Sequence, residues 1–138
     1  RNPRLTTHID DLTTALCAHA SGVYCAEAAV GLLIGHGRWL GRSNFVDQFV
    51  TMVDETDATS PMAAVDWPAA VAGLEEGRLP CSSSEGQVLR LAASIADGPP
   101  VDLGAALCGL DTANLALVGE AVLHAGGHPP VTPMGWEA

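Results

Sequence analysis

The sequence predicts an all-α fold, an orthogonal bundle of about seven short helices with no sheet. Three observations point there. Start signals recur ahead of amphipathic runs, most plainly in Ser82-Ser83-Ser84-Glu85, where a serine and a glutamate three residues on form a capping box. Alanine and leucine are abundant, while the chain holds only two Phe and one Tyr, so few residues favour strands. The connections are short and marked by Gly and Pro, which makes successive helices neighbours in space. At 138 residues the chain reads as one helical domain, with flexible ends at about 1–6 and 128–138.

Taken in order, Thr6 or Thr7 is expected to cap a helix to about Ala20. Ile9, Leu12, Leu16 and Ala20 share one face, and Asp10 and Asp11 fall in the first turn. Ser21-Gly22 breaks it. Val23 to His36 is apolar nearly all round and is expected at the centre of the bundle, with Gly37 as a left-handed cap. Its one acid, Glu27, would need a partner if buried. Ser43 or Asn44 is expected to start a helix to about Glu55, with Phe45, Val46, Phe49, Val50 and Val53 inward. Thr56 to Val65 reads as the one long connection, a candidate hinge or lid. Asp66-Trp67-Pro68 starts the next helix, to about Glu76.

The block from Leu79 to Gly127 carries three more helices. After the Ser82–Glu85 box, Val88, Leu91, Ala92, Ile95 and Ala96 form an i, i+3, i+4, i+7, i+8 stripe that Gly98-Pro99-Pro100 ends. Asp102 caps a short helix to about Gly109. Asp111 caps a last one, with Leu115, Val118, Val122 and Leu123 as its stripe and Gly126-Gly127 closing it. EAAVGLLIGHG and GEAVLHAGG echo one another, too briefly to make a repeat.

The formal net charge is -10, from 16 acids against six arginines, and there is no lysine. The acids are spread from Asp10 to Glu137, as on a solvated surface. Duplex nucleic acid is not an expected partner, because phosphate neutralisation needs a basic face. No run of some 20 apolar residues suggests a membrane span, and no leader is visible. Cys17, Cys25, Cys81 and Cys108 could make two disulfides, but three of them fall on helical patterns where a free thiol packs as a small hydrophobe. A cytoplasmic setting with reduced thiols is therefore expected. The chain begins at Arg1 without a methionine, as it would if an upstream segment were removed or lay outside it.

Candidate chemistry is sparse. His124 and His128 stand four apart and Cys17 two before His19, but neither pair has zinc spacing on one helical face, so no metal or other cofactor is expected. Cys81 precedes a helix start, where a thiol can be activated, yet it also suits a staple ahead of the capping box. The serines at 82–84 lack the G-x-S-x-G elbow, and no phosphate loop or dinucleotide fingerprint occurs. The binding candidates are Arg38, Trp39 and Arg42, which place two of six cations around an aromatic in an acidic chain. They read either as a partner or anion site, or as a turn where Trp39 closes the bundle and the arginines pair with acids such as Asp47.

The segments LPCSSSEGQVLRLAASIADG and GLDTANLALVGEAVLHAGG resemble an uncharacterised family of small helical proteins from GC-rich bacteria, with a fainter likeness in AEAAVGLLIGHGRWL. The resemblance covers roughly the C-terminal half and implies a single helical domain and no particular activity. The expected function is that of a non-catalytic interaction or regulatory module, binding a protein partner or a second copy of itself as a homodimer. The alternative is a small-ligand protein or enzyme with an inter-helix pocket, gated by Thr56 to Val65 and lined by Glu27, His36 or Cys81.

Overall fold

A computed structural model describes residues 3–53 and 61–128, with side chains from Ile9 onward. Along the chain run α1 (Pro3–Ala20), α2 (Tyr24–His36), α3 (Ser43–Phe49), β1 (Val50–Val53), β2 (Met62–Val65), α4 (Trp67–Glu75), α5 (Ser83–Asp97), α6 (Leu103–Cys108) and α7 (Thr112–Ala125). Helix dominates, and none of the described helices is long and apolar enough to cross a membrane.

The local start and stop signals are used as written. The Ser82 side chain accepts from the Glu85 backbone N–H at 3.2 Å while the Glu85 carboxylate accepts from the Ser82 N–H at 3.0 Å. Asp66, Asp102 and Asp111 accept from the N–H groups of Ala69, Ala105 and Asn114 and so start α4, α6 and α7. Gly37 and Gly98 close α2 and α5 with φ of 77° and 88°, a conformation that a Cβ would strain.

Two starts differ from expectation. Helix α1 begins at Pro3, whose fixed φ suits a first turn, so Asp10 and Asp11 stand in mid-helix instead of near its positive end. Helix α3 is entered through Arg42, with no side-chain cap bond from Ser43 or Asn44.

The expectation of no sheet needs correction. Helix α3 stops at Phe49, and Val50 turns to extended geometry (φ -117°, ψ 125°). Strands β1 and β2 then form an antiparallel pair in the register Val50↔Val65, Thr51↔Ala64, Met52↔Ala63 and Val53↔Met62. Asp66 N–H donates to Phe49 O at 2.8 Å and closes the open end of the pair. Val50, Thr51 and Val53 are β-branched and stiff, which weakens a helix there. The deciding partner is β2, which packs along α1 and buries Ala63. Most of the expected lid is therefore either strand (62–65) or lies outside the described residues (56–60).

Helices α2 and α5 are the centre. Helix α2 packs on α1, α5 and α7, while α5 also meets α4, α6 and α7. Ala28, Ala29, Leu32 and Leu33 of α2 and Val88, Leu89, Ala92 and Ala93 of α5 belong to one continuous core. Alanine at so many contact positions lets backbones approach closely. At Gly35 an added Cβ would stand 2.8 Å from Leu117 Cδ2 on α7. Trp39, Phe45 and Phe49 close one end, with ring centroids 5.4 Å and 5.9 Å apart.

Candidate functional site

The basic-aromatic turn between α2 and α3 points inward. Trp39 is 0% exposed and its indole N–H donates to the Glu85 carbonyl oxygen at 3.0 Å. Arg42 lies over the Trp39 ring, 4.5 Å from guanidinium carbon to centroid, and reaches Glu85 Oε1 at 2.6 Å and Pro80 O at 3.0 Å. The turn thus clamps the start of α5, and the partner of Arg42 is Glu85 and not the expected Asp47. The Ser82 backbone N–H and then the Arg42 guanidinium hold the Glu85 carboxyl below the usual carboxylate range. Only Arg38 of the three candidates is exposed. Next to it, burial pushes the His36 imidazole below its ordinary value, and its Nδ1 has no hydrogen-bond partner among the described residues.

Glu27 is buried, and its partner comes from the far end of the chain. Its Oε1 lies 2.7 Å from His124 Nε2 on α7, and its Oε2 accepts from the Gly22 backbone N–H at 2.8 Å. Both side chains are nearly inaccessible, at 9% and 4% of their free areas, so the pair works as a polar bolt between α2 and α7. Tyr24 stacks edge-on against the His124 ring, 6.0 Å between centroids. Glu27 also stands close enough to Cys17 to add to the burial that raises that thiol's pKa.

The four cysteines are unpaired. Cys81 lines a cleft of about 370 Å³ with Ser82, Ser83, Gln87 and Arg90. Burial against α5 raises the Cys81 thiol above its ordinary value, with Arg42 and then Glu85 and Arg90 as smaller influences. A thiol held protonated is a poor nucleophile at neutral pH. A second cleft, about 250 Å³, lies among α1, α2, β2, α4 and α5, and His19 and Asp97 are its ionisable lining residues among the described ones. Glu27, His36 and Cys81 do not converge: Glu27 is bolted to α7 about 13 Å along α2 from His36. Among the described residues no three His, Cys, Asp or Glu side chains gather as a metal site.

What remains is an apolar surface on α7. Of its expected inward stripe only Val118 is buried. Leu115, Val122 and Leu123 are 40%, 56% and 58% exposed, and Val23 and Tyr24, at the start of α2, are 59% and 49% exposed. The Tyr24 ring reaches to Gly127 (3.7 Å from where its Cβ would lie), so these two residues extend the surface past the C-terminal end of α7. Gly119 sits in the middle with nothing within 4 Å of a Cβ added there. The core-facing side of α7 is instead Val118, Ala121 and His124.

Comparison with protein-family models, curated proteins and solved structures returns no match.

The α7 surface is the feature that sequence reasoning missed. Its residues were legible as an apolar stripe, but α7 is apolar on both sides, and periodicity does not say which side faces in. The need of Glu27 for a buried partner was the available signal: putting His124 inward rotates Leu115, Val122 and Leu123 out.

Proposed function

We propose that the protein is a non-catalytic interaction module whose docking surface is the outward face of α7, extended by Val23 and Tyr24. The observation that carries this reading is the concentration of exposed large apolar side chains there. Among the described residues seven such side chains are exposed, and five of them lie on α7 or at its C-terminal end. Roughly 400 Å² of apolar surface in one place is the scale at which a patch on a soluble domain marks an interface. The reading leaves Trp39 and Arg42 out of the contact, since both serve the fold, and keeps Arg38 as an exposed neighbour. Four unpaired thiols suit the cytoplasmic setting that belongs to it. The Cys81 cleft adds no second reading, because burial biases its thiol toward the protonated form.

A random-peptide display selection on the intact chain tests this without knowing the partner. The wild type is expected to enrich helical peptides with apolar residues at i, i+3 or i+4, and i+7. Leu123→Glu is expected to abolish that enrichment, and Arg38→Ala to leave it intact. Equal enrichment on Leu123→Glu would contradict the assignment of the surface.

A further inference from the structure

We infer that the second cleft binds a small organic amine, its apolar body among the alanines and its ammonium group at Asp97. No described lining residue of that cleft lies on α7, so the inference goes beyond the docking surface and does not depend on it.

The walls supply the room. Five alanines surround the hollow: Ala20 of α1, Ala26 of α2, Ala63 and Ala64 of β2, and Ala96 of α5. Side chains that end at Cβ leave open what longer ones would fill. Ala20, Ala63 and Trp67 are buried, at 2%, 1% and 9% exposure, and give the cleft an apolar floor. A volume of about 250 Å³ is large for a chain whose core is otherwise packed, since interiors hold few gaps bigger than one water. An apolar cavity of about 150 Å³ is enough to take up benzene. This one has space for a ring-sized body and a short arm.

The rim supplies the charge. His19 and Asp97 are exposed there, and neither has a hydrogen-bond or ion-pair partner among the described residues. Asp97 is the last residue of α5, where the helix dipole disfavours a carboxylate, so its charge does nothing for its own helix. His19 stands in the last turn of α1, so the cleft meets the negative ends of two helices. Two other helices enter it by their positive ends, α2 near Ala26 and α4 at Trp67. Each of those ends has a carboxylate of its own: Glu27 lies in the first turn of α2, and Asp66 accepts from the Ala69 N–H of α4. No arginine is among the described lining residues, and the chain carries a net charge of -10. Such a rim attracts a cation and repels an anion. The His19 imidazole in its neutral form adds a ring nitrogen that can accept a hydrogen bond from the same ammonium group.

Amide NMR titration of the full chain with three probes of one apolar body tests the inference. The probes are 2-phenylethylamine, 2-phenylethanol and phenylacetate: a cation, a neutral molecule and an anion. The amine is expected to bind in the millimolar range, as suits so small a ligand, and to shift the amides of His19, Ala20, Ala63 to Val65, Trp67, Ala96 and Asp97. The alcohol should bind more weakly and phenylacetate most weakly of the three. Asp97→Asn, at an exposed position, is expected to weaken the amine by about fivefold and leave the alcohol unchanged. Ala96→Leu, which fills the hollow from a half-buried position, should abolish binding of both while circular dichroism stays that of the wild type. Absence of shifts at these residues, or Ala96→Leu binding as the wild type does, overturns the site. Phenylacetate binding as tightly as the amine, or Asp97→Asn keeping the full preference for the amine, overturns the choice of ligand. Neither result touches the reading of α7, whose residues the probes do not contact.

Discussion

Glu85 closes the capping box with Ser82 and at the same time holds Arg42 against the Trp39 ring. Its carboxyl is held below the usual range, so the charged form belongs to the fold. The contribution is complete above the unfolded value, about 4.3, and is lost as the pH falls through the lower folded value. Glu85→Gln is therefore expected to cost about 1 kcal/mol at neutral pH. The melting-temperature gap from wild type should shrink as the pH falls below the unfolded value and the native carboxyl takes up its proton in turn. A gap that grows toward acid would contradict the assignment. The buried bolt behaves differently. Glu27→Ala or His124→Ala breaks the buried contact while leaving the other polar group inside, and is expected to cost about 3 kcal/mol in urea denaturation. Glu27→Leu with His124→Leu should lose much less than the two single losses combined, and the loss that remains reflects the Gly22 N–H left without its acceptor. Residue chemistry was only half legible in the sequence. The Ser82–Glu85 box is local and could be read directly, whereas Arg42 with Glu85 and Glu27 with His124 are pairings across 43 and 97 residues.

Among elements, what could be read was what is set within a few residues. Asp66, Asp102, Asp111, Gly37 and Gly98 mark ends by side-chain or backbone geometry alone. The hairpin was not readable that way, because Val50–Val53 becomes strand only through β2 and α1. Close packing between elements gives two glycines opposite roles. An added Cβ at Gly73 on α4 would stand 2.7 Å from Phe49 Cζ, in a buried ring that cannot swing away. At Gly119 on α7 it would meet nothing. Alanine normally stabilises a helix over glycine by about 1 kcal/mol. Gly119→Ala should show that gain. Gly73→Ala should instead lose about 1–3 kcal/mol to overpacking. A shared sign for the two would contradict the packing of α3 on α4.

For the molecule as a whole, the central placement of α2 was legible because it is apolar nearly all round. The direction of α7 was not, because both of its sides are apolar and only the Glu27–His124 bolt chooses between them. That choice sets the character of the surface, since it turns Leu115, Val122 and Leu123 outward. The most direct test is to record backbone amide NMR spectra of the wild-type chain with and without an apolar helical peptide from the display selection. Docking on the outward face of α7 predicts shifts confined to residues 112–127 and to Val23 and Tyr24. Shifts centred on Arg38 to Arg42, or spectra that do not change on adding the peptide, would contradict it.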